Sequence, residues 1–414
     1  MSRSLAVRSD RIADDLENLG EITEPNQPFT RRAFTPLFLE GRRYLRAAFD
    51  RAGLHTRIDA AGNLIGRRAG RKTGRGTILI GSHSDTVPSG GRFDGVAGVV
   101  AALEVARALD EAGVELDHDL DIVDFLAEEV SIFGVSCVGS RGLIGERPAE
   151  WLTRTADGLD LGQGIRAVGG DPDVAERRDD IAAFLELHIE QGPVLEAEKI
   201  DIGVVTAIVG VSRIELLLTG QADHAGTTPM TTRRDALTAA ARLALAIDAS
   251  ARKLASGASH FAATVGELTM EPNAANVVPA KVRMLIDIRA ERRADFEAFR
   301  AELSETIANV VKTSGVEIVE RLVSDNQPTA MHEAAIAVIE AAAADVGASH
   351  RRMASGAGHD AAFLARIATT GMIFIPCLGG RSHVSAEWAE TDDIALGAAV
   401  LLQAVKRLDK ELGD

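Results

Sequence analysis

The chain has 414 residues, of which 46% are apolar and 26% charged, and its formal net charge is −16. That length admits two domains with buried cores, and the composition is that of an ordinary globular protein. The acidic balance argues against a nucleic-acid partner, whose phosphates select clustered Lys and Arg. No apolar run reaches transmembrane length and the first ten residues hold no apolar leader core, so a cytoplasmic protein with no membrane partner is expected. The two cysteines, Cys137 and Cys377, form no C-x-x-C pair, which leaves neither a disulfide framework nor a zinc–thiolate site.

In chain order, residues 31–52 have the pattern of an amphipathic helix stopped by Gly53. Residues 77–81 are a short continuous apolar run, as in a strand buried on both faces, and 95–112 repeat small and apolar residues at helical spacing. A strand at 120–126, another at 372–376 and a helix from about 392 to 412 continue the alternation of an α/β protein. Between them the rhythm changes: strand 212–218, helix 234–254, strands 262–268 and 282–289, helix 293–313 and strand 316–322. This β-α-β-β-α-β order is that of a ferredoxin-like unit. The expected architecture is a mainly parallel-sheet domain made of 1–211 and 323–414, with 212–322 inserted as a lid or dimerisation domain.

Four clusters carry polar chemistry at strand ends or in glycine-rich loops. The first is Gly81-Ser-His83-Ser-Asp85, followed by Gly90-Gly-Arg-Phe-Asp94-Gly95. His83 lies where α/β proteins place ligands, and Asp85 is spaced to accept the second ring N–H of His83. Asp94 stands in a loop free enough to bridge two cations. The second is the pair Glu128-Glu129 after an apolar strand, two carboxylates that repel unless a positive charge sits beside them. The others are His188-Ile-Glu-Gln191-Gly-Pro193 and Gly380-Arg-Ser-His383-Val-Ser-Ala-Glu387. Any one of these histidines alone is more often structural than a ligand. Together, His83, Asp94, Glu129, His188 and His383 form a thiolate-free set that suits two ions of Zn²⁺, Mn²⁺ or Co²⁺ with one bridging carboxylate. No phosphate loop, nucleophile elbow or dinucleotide fingerprint is present.

On these residues the chain resembles the metallopeptidase M20 family. Gly90-Gly-Arg-Phe-Asp94-Gly95, His188-Ile-Glu-Gln-Gly-Pro193 and Ala222-Asp-His224-Ala-Gly-Thr-Thr-Pro-Met230 are similar to its carbamoylase branch, which contains N-carbamoyl-L-amino-acid hydrolase, β-ureidopropionase and allantoate amidohydrolase. The resemblance runs from about Leu16 to about Leu408. It implies a hydrolase that cleaves the carbamoyl or ureido C–N bond of a small-molecule substrate with two divalent ions per subunit. It further implies that His83 and His188 bind different ions, as do Glu129 and His383, with Asp94 bridging. Glu128 would be the general base and Asp85 the group that orients His83. His224, Asn276, Arg289, Gln191, Gly356 and Ala357 would contact substrate, and the inserted domain would form a homodimer in which His224 and Asn276 reach the neighbouring site. An M20 aminoacylase or dipeptidase is the alternative, and a metal-binding protein without turnover has no need of the base at Glu128. The chain departs from many relatives after its two glutamates: Val130 and Ile132 stand where those have glycine and arginine, which bears on which substrate fits.

Overall fold

The computed structural model describes residues 6–174, 177–257 and 259–412. The chain divides into two compact units, one of Met1–Thr206, Met331–Met353 and Gly358–Asp414, the other of Ala207–Ala330 with Ala354–Ala357.

The first unit is built on four parallel central strands in the spatial order Asp119–Phe125, Thr77–His83, Ile181–Ile189 and Thr369–Ile375. Strands buried on both faces must be apolar almost throughout, and Thr77–His83 is buried at every position. Antiparallel strands flank this centre: Leu64–Arg68 with His55–Ile58 on one side, and Ile202–Ile208 on the other. The α/β expectation is borne out, and the four central strands that carry the site pair in parallel.

The helix Val96–Glu111 packs over Thr77–His83 and touches the helices Ser9–Glu21 and Thr391–Glu411. Its small residues are a steric need. A Cβ on Gly98 would stand 2.2 Å from the carbonyl oxygen of Leu187, so the helix reaches the sheet only because nothing is there. The helix expected over 31–52 begins later, at Pro36, and runs to Arg51. Thr35 caps it by accepting from the Phe38 amide at 3.3 Å, and proline at the first helical position disfavours helical backbone before it. Arg31, freed from the helix, buries its guanidinium and donates to the carbonyls of Ser84 and Ile22, both at 3.0 Å. No described helix is long and apolar enough to cross a membrane.

The second unit follows the chain order strand Gly210–Thr219, helix Ala236–Ala255, strands Phe261–Glu271 and Lys281–Ala290, helix Arg293–Ser314 and strand Glu317–Asp325. Its antiparallel sheet has the spatial order Phe261–Glu271, Lys281–Ala290, Gly210–Thr219, Glu317–Asp325. Alternate residues of Lys281–Ala290 are buried, so the helices cover one face only. Ile214, Leu216, Leu243, Met284, Ile286 and Phe299 belong to a core that lies wholly within this unit. Asp235 caps the first helix at Leu237 and Thr238, and Gly315 at φ 66° ends the second. Both edge strands carry a bulge, between Val265 and Glu267 and between Leu322 and Ser324.

Candidate metal centre

The carboxyl ends of the parallel strands deliver the polar clusters to one place. His83 ends its strand, His188 lies one residue from the end of its own, and Glu128, Glu129 and His383 follow in the loops beyond. Asp94 stands in the loop that leads into Val96–Glu111. This edge of a parallel sheet is where an open α/β fold gathers its ligands.

Three residues reach the centre through left-handed backbone. Ala127 (φ 52°) turns the chain so that Glu128 and Glu129 both face inward, while Gln191 (φ 57°) and His383 (φ 58°) hold the same costly conformation in their loops. Gly95 (φ 67°) is constrained further, since a Cβ there would lie 2.4 Å from the imidazole of His83.

The ligands fall into two groups that share one carboxylate. Asp94 Oδ1 is 3.0 Å from His188 Nε2 and 3.8 Å from His83 Nε2. Asp94 Oδ2 is 3.0 Å from His383 Nε2, which is in turn 3.0 Å from Glu129 Oε1. His83, Asp94 and His188 thus converge as one set of three, and Asp94, Glu129 and His383 as another, each within 4.8 Å. Tetrahedral bonds of about 2.0–2.1 Å place ligand atoms about 3.4 Å apart, the range found here. The pairing corrects the expectation that His83 and His188 serve different ions. They flank the same carboxylate oxygen from neighbouring strands, whereas Glu129 and His383 meet at the other.

The imidazole tautomers also fit a cation. His83 Nδ1 lies 3.0 Å from the carbonyl oxygen of Asp85 and His188 Nδ1 2.9 Å from that of Ile189. A carbonyl only accepts, so Nδ1 carries the proton and each Nε2 turns its lone pair inward. The amide of Gly95 donates to Nε2 of His188 at 3.2 Å, which agrees. Asp85 therefore meets His83 through its backbone carbonyl, which corrects the expectation that its carboxylate does so; its Oδ1 is 3.6 Å away. That carboxylate instead accepts the amides of Glu128 (3.2 Å) and Glu129 (3.3 Å), because the Ala127 turn presents both N–H groups to it.

The electrostatics of the centre call for positive charge. Burial works against the charged form of His188, but Asp94 outweighs it and lifts the imidazole to about 9. Hydrogen bonds to Asp94 and Glu129 raise His383 to about 10. Burial, then the charges of Glu129, Asp360, Asp85 and Asp94, push Glu128 well above the usual carboxylate range. Carboxylates buried at this density call for compensating positive charge, which either a proton or a cation at the inward Nε2 atoms would supply.

Gln191 donates from Nε2 to Asp94 Oδ2 (3.1 Å) and to Ser382 (3.2 Å), and its buried Oε1 has no partner among the described residues. Val130 is 57% exposed just beyond Glu129, while Ile132 packs against the cluster of Leu126, Phe133 and Val138. His224, Asn276, Arg289, Gly356 and Ala357 belong to the second unit. There His224 bridges to Val277, and the Ala225 amide donates to the carbonyl of Asn276 at 2.9 Å, so His224 and Asn276 are neighbours. Nδ1 of His224 accepts from the amides of Gly226 (3.0 Å) and Thr227 (3.2 Å), which leaves the proton on Nε2. Arg289 is held by Asp287 (3.0 Å) and by the carbonyl of Gly356 (2.7 Å). The amide of Ala357 donates to Ser355 at 3.2 Å.

Sequence reasoning gave no role to four buried groups around the centre. His359 sets its ring edge-on to His188, with centroids 4.5 Å apart. Glu186 accepts from Ser82 at 2.7 Å and from the amide of Ala361 at 3.2 Å. Asp360 takes the hydroxyl of Ser140. Glu387 accepts from Ser382 and from two backbone amides. Their signal was proximity: Glu387 stands four residues after His383, and His359-Asp360 follow directly on Ser355-Gly-Ala-Gly358.

A parallel sheet that gathers two three-ligand groups of histidine and carboxylate around a shared aspartate makes a candidate metal centre. The chain belongs to the peptidase family M20/M25/M40, whose sequence pattern matches residues 79–407. It is 37% identical over 411 residues to an N-carbamoyl-L-amino-acid amidohydrolase of Paenarthrobacter aurescens, covering 98% of this chain and 99% of the relative. It is 36% identical to a ureidoglycolate hydrolase of Oryza sativa subsp. japonica, over 97% and 85% of the two chains. Among solved structures, a hydantoinase/carbamoylase-family amidase from Burkholderia multivorans superposes with a TM-score of 0.91 at 37% identity, covering 97% of this chain and 98% of the other.

Proposed function

We propose that the protein hydrolyses the carbamoyl or ureido C–N bond of an N-carbamoyl-L-amino acid or a related ureido acid such as allantoate or β-ureidopropionate. The observation that carries this reading is the pair of ligand groups sharing Asp94 with Glu128 beside them, its Oε2 3.7 Å from His83 Nε2. The names of the relatives support the bond type. Two divalent ions, of zinc, manganese or cobalt, would be held by His83, Asp94 and His188 and by Asp94, Glu129 and His383; when bound they would supply Lewis acidity toward water and carbonyl.

Glu128 takes the proton of the attacking water and returns it to the leaving nitrogen. Its carboxylate is suited to hold that proton by burial and by the neighbouring negative charges. His224, with its proton on Nε2, is an N–H donor for the oxyanion that develops at the attacked carbon. Arg289, fixed by Asp287 and Gly356, presents its remaining N–H groups to a substrate carboxylate, with Asn276, Gln191 and Ala357 as further contacts. The reading includes a cytoplasmic homodimer joined through the second unit, in keeping with two buried free cysteines.

The test is a panel of N-carbamoyl-L-amino acids, allantoate, β-ureidopropionate and N-acetyl-amino acids on metal-reconstituted protein. Turnover of a ureido substrate, lost on chelation and restored by Mn²⁺, Co²⁺ or Zn²⁺, is the expected result. Hydrolysis of acetyl substrates alone, or full activity in protein shown by elemental analysis to be metal-free, would refute it.

A further inference from the structure

We propose that Glu387 is a positioning residue that ties the Asp94 loop to the His383 loop through Ser382, and thereby sets the ligands of the ion held by Asp94, Glu129 and His383. The inference rests on the metal-centre reading and adds to it a device for one of the two ions.

Glu387 is 2% exposed. Its Oε1 accepts the backbone N–H of Phe93 at 2.8 Å and of Asp94 at 3.0 Å. Its Oε2 is 2.8 Å from the hydroxyl of Ser382, the residue before His383. That hydroxyl is also 3.0 Å from Asp94 Oδ2, the oxygen facing His383. Two loops almost 300 residues apart in the chain are thus joined through one carboxylate. The Asp94 loop closes around it: a Cβ on Gly91 would lie 1.8 Å from the Glu387 carboxyl carbon. Next to it, Phe93 meets Trp388 edge-on with ring centroids 5.4 Å apart.

The effect should differ between the ions. His83 and His188 lie on strands of the central sheet, and Asp94 keeps its place at the helix start, where the amide of Ala97 donates to Phe93 at 2.9 Å. His383 has no such frame. It sits in a loop, on left-handed backbone, with Ser382, Glu387 and Gln191 as its connections to Asp94.

Removing the carboxylate should therefore free the His383 side of the centre and leave the His83–His188 side in place. Outer groups that orient ligands are worth 10–100-fold in metal affinity. Glutamine supplies a close substitute: its amide oxygen can accept both backbone N–H groups, and its NH₂ can donate to Ser382, whose hydroxyl then serves Asp94.

The experiment is competition for Zn²⁺ between metal-free protein and a chromophoric chelator, with thermal melts of the metal-free proteins alongside. Wild type should bind two ions. Glu387→Ala should bind one ion 10–100-fold more weakly and the other within about threefold of wild type, and Glu387→Gln should bind both within about threefold. Equal affinities for wild type and Glu387→Ala would overturn the proposal, as would equal loss of both ions. If Glu387→Ala does not fold, Ser382→Ala removes the bridge and leaves the backbone contacts. It should weaken one ion several-fold, and unchanged binding of both would overturn the proposal. Wild type that takes up no pair of ions would overturn the metal reading itself.

Discussion

Glu128 and Glu129 are adjacent in sequence and face different partners. Glu129 Oε1 faces His383 at 3.0 Å, whereas Glu128 Oε2 approaches His83 only to 3.7 Å and completes neither ligand group. The Ala127 turn and the Asp85 carboxylate hold both backbones, so the two side chains diverge from one fixed point. Replacing Glu128 by glutamine keeps the shape and removes the base. Glu128→Gln should lower kcat by about 10²–10⁴-fold while the protein still takes up both ions, as measured by elemental analysis beside steady-state kinetics. Near-native kcat would show that Glu128 moves no proton in the reaction.

At the scale of elements, the helix Val96–Glu111 and the loop before it place Asp94, and glycine makes that placement possible. Gly95→Ala would add a methyl group 2.4 Å from the His83 ring on backbone at φ 67°. The expected outcome is loss of at least tenfold in affinity for the ion of the His83 group. Unaltered Zn²⁺ binding in chelator competition would show that the loop gives way freely. The ligand types and the strands 77–81, 120–126 and 372–376 were legible in the sequence because buried parallel strands are apolar runs and their polar ends stand out. Ile181–Ile189 was not, because Glu186 and His188 interrupt its apolar pattern; both are buried with partners that sequence does not display. Which histidine faces which oxygen of Asp94 was likewise hidden, since that depends on strand order and not on spacing. The two-residue offset points Asp85 at His83, but the turn at Ala127 brings two N–H groups to its carboxylate. Amphipathic spacing extends upstream of the Thr35-Pro36 boundary to residue 31, whereas the helix begins at Pro36.

On the scale of the whole molecule, the proposed reaction draws on both units: the ion ligands and Glu128 come from the first, and His224, Asn276 and Arg289 from the second. Under the proposed homodimer, His224 acts in the partner's site. Mixing inactive His224→Ala protomers with inactive Glu128→Gln protomers should then restore part of the activity, since one site of each mixed pair combines an intact base with an intact donor. No recovery, with subunit exchange verified by mass spectrometry, would show that His224 serves its own chain. Among the described residues, the second unit's core, from Ile214 through Val316, takes none from outside that unit. A substitution there meets first that unit's own side chains. Inheritance can therefore treat the two halves of the proposed chemistry separately: the grip on the substrate can diverge between lineages while the hydrolytic centre stays constant.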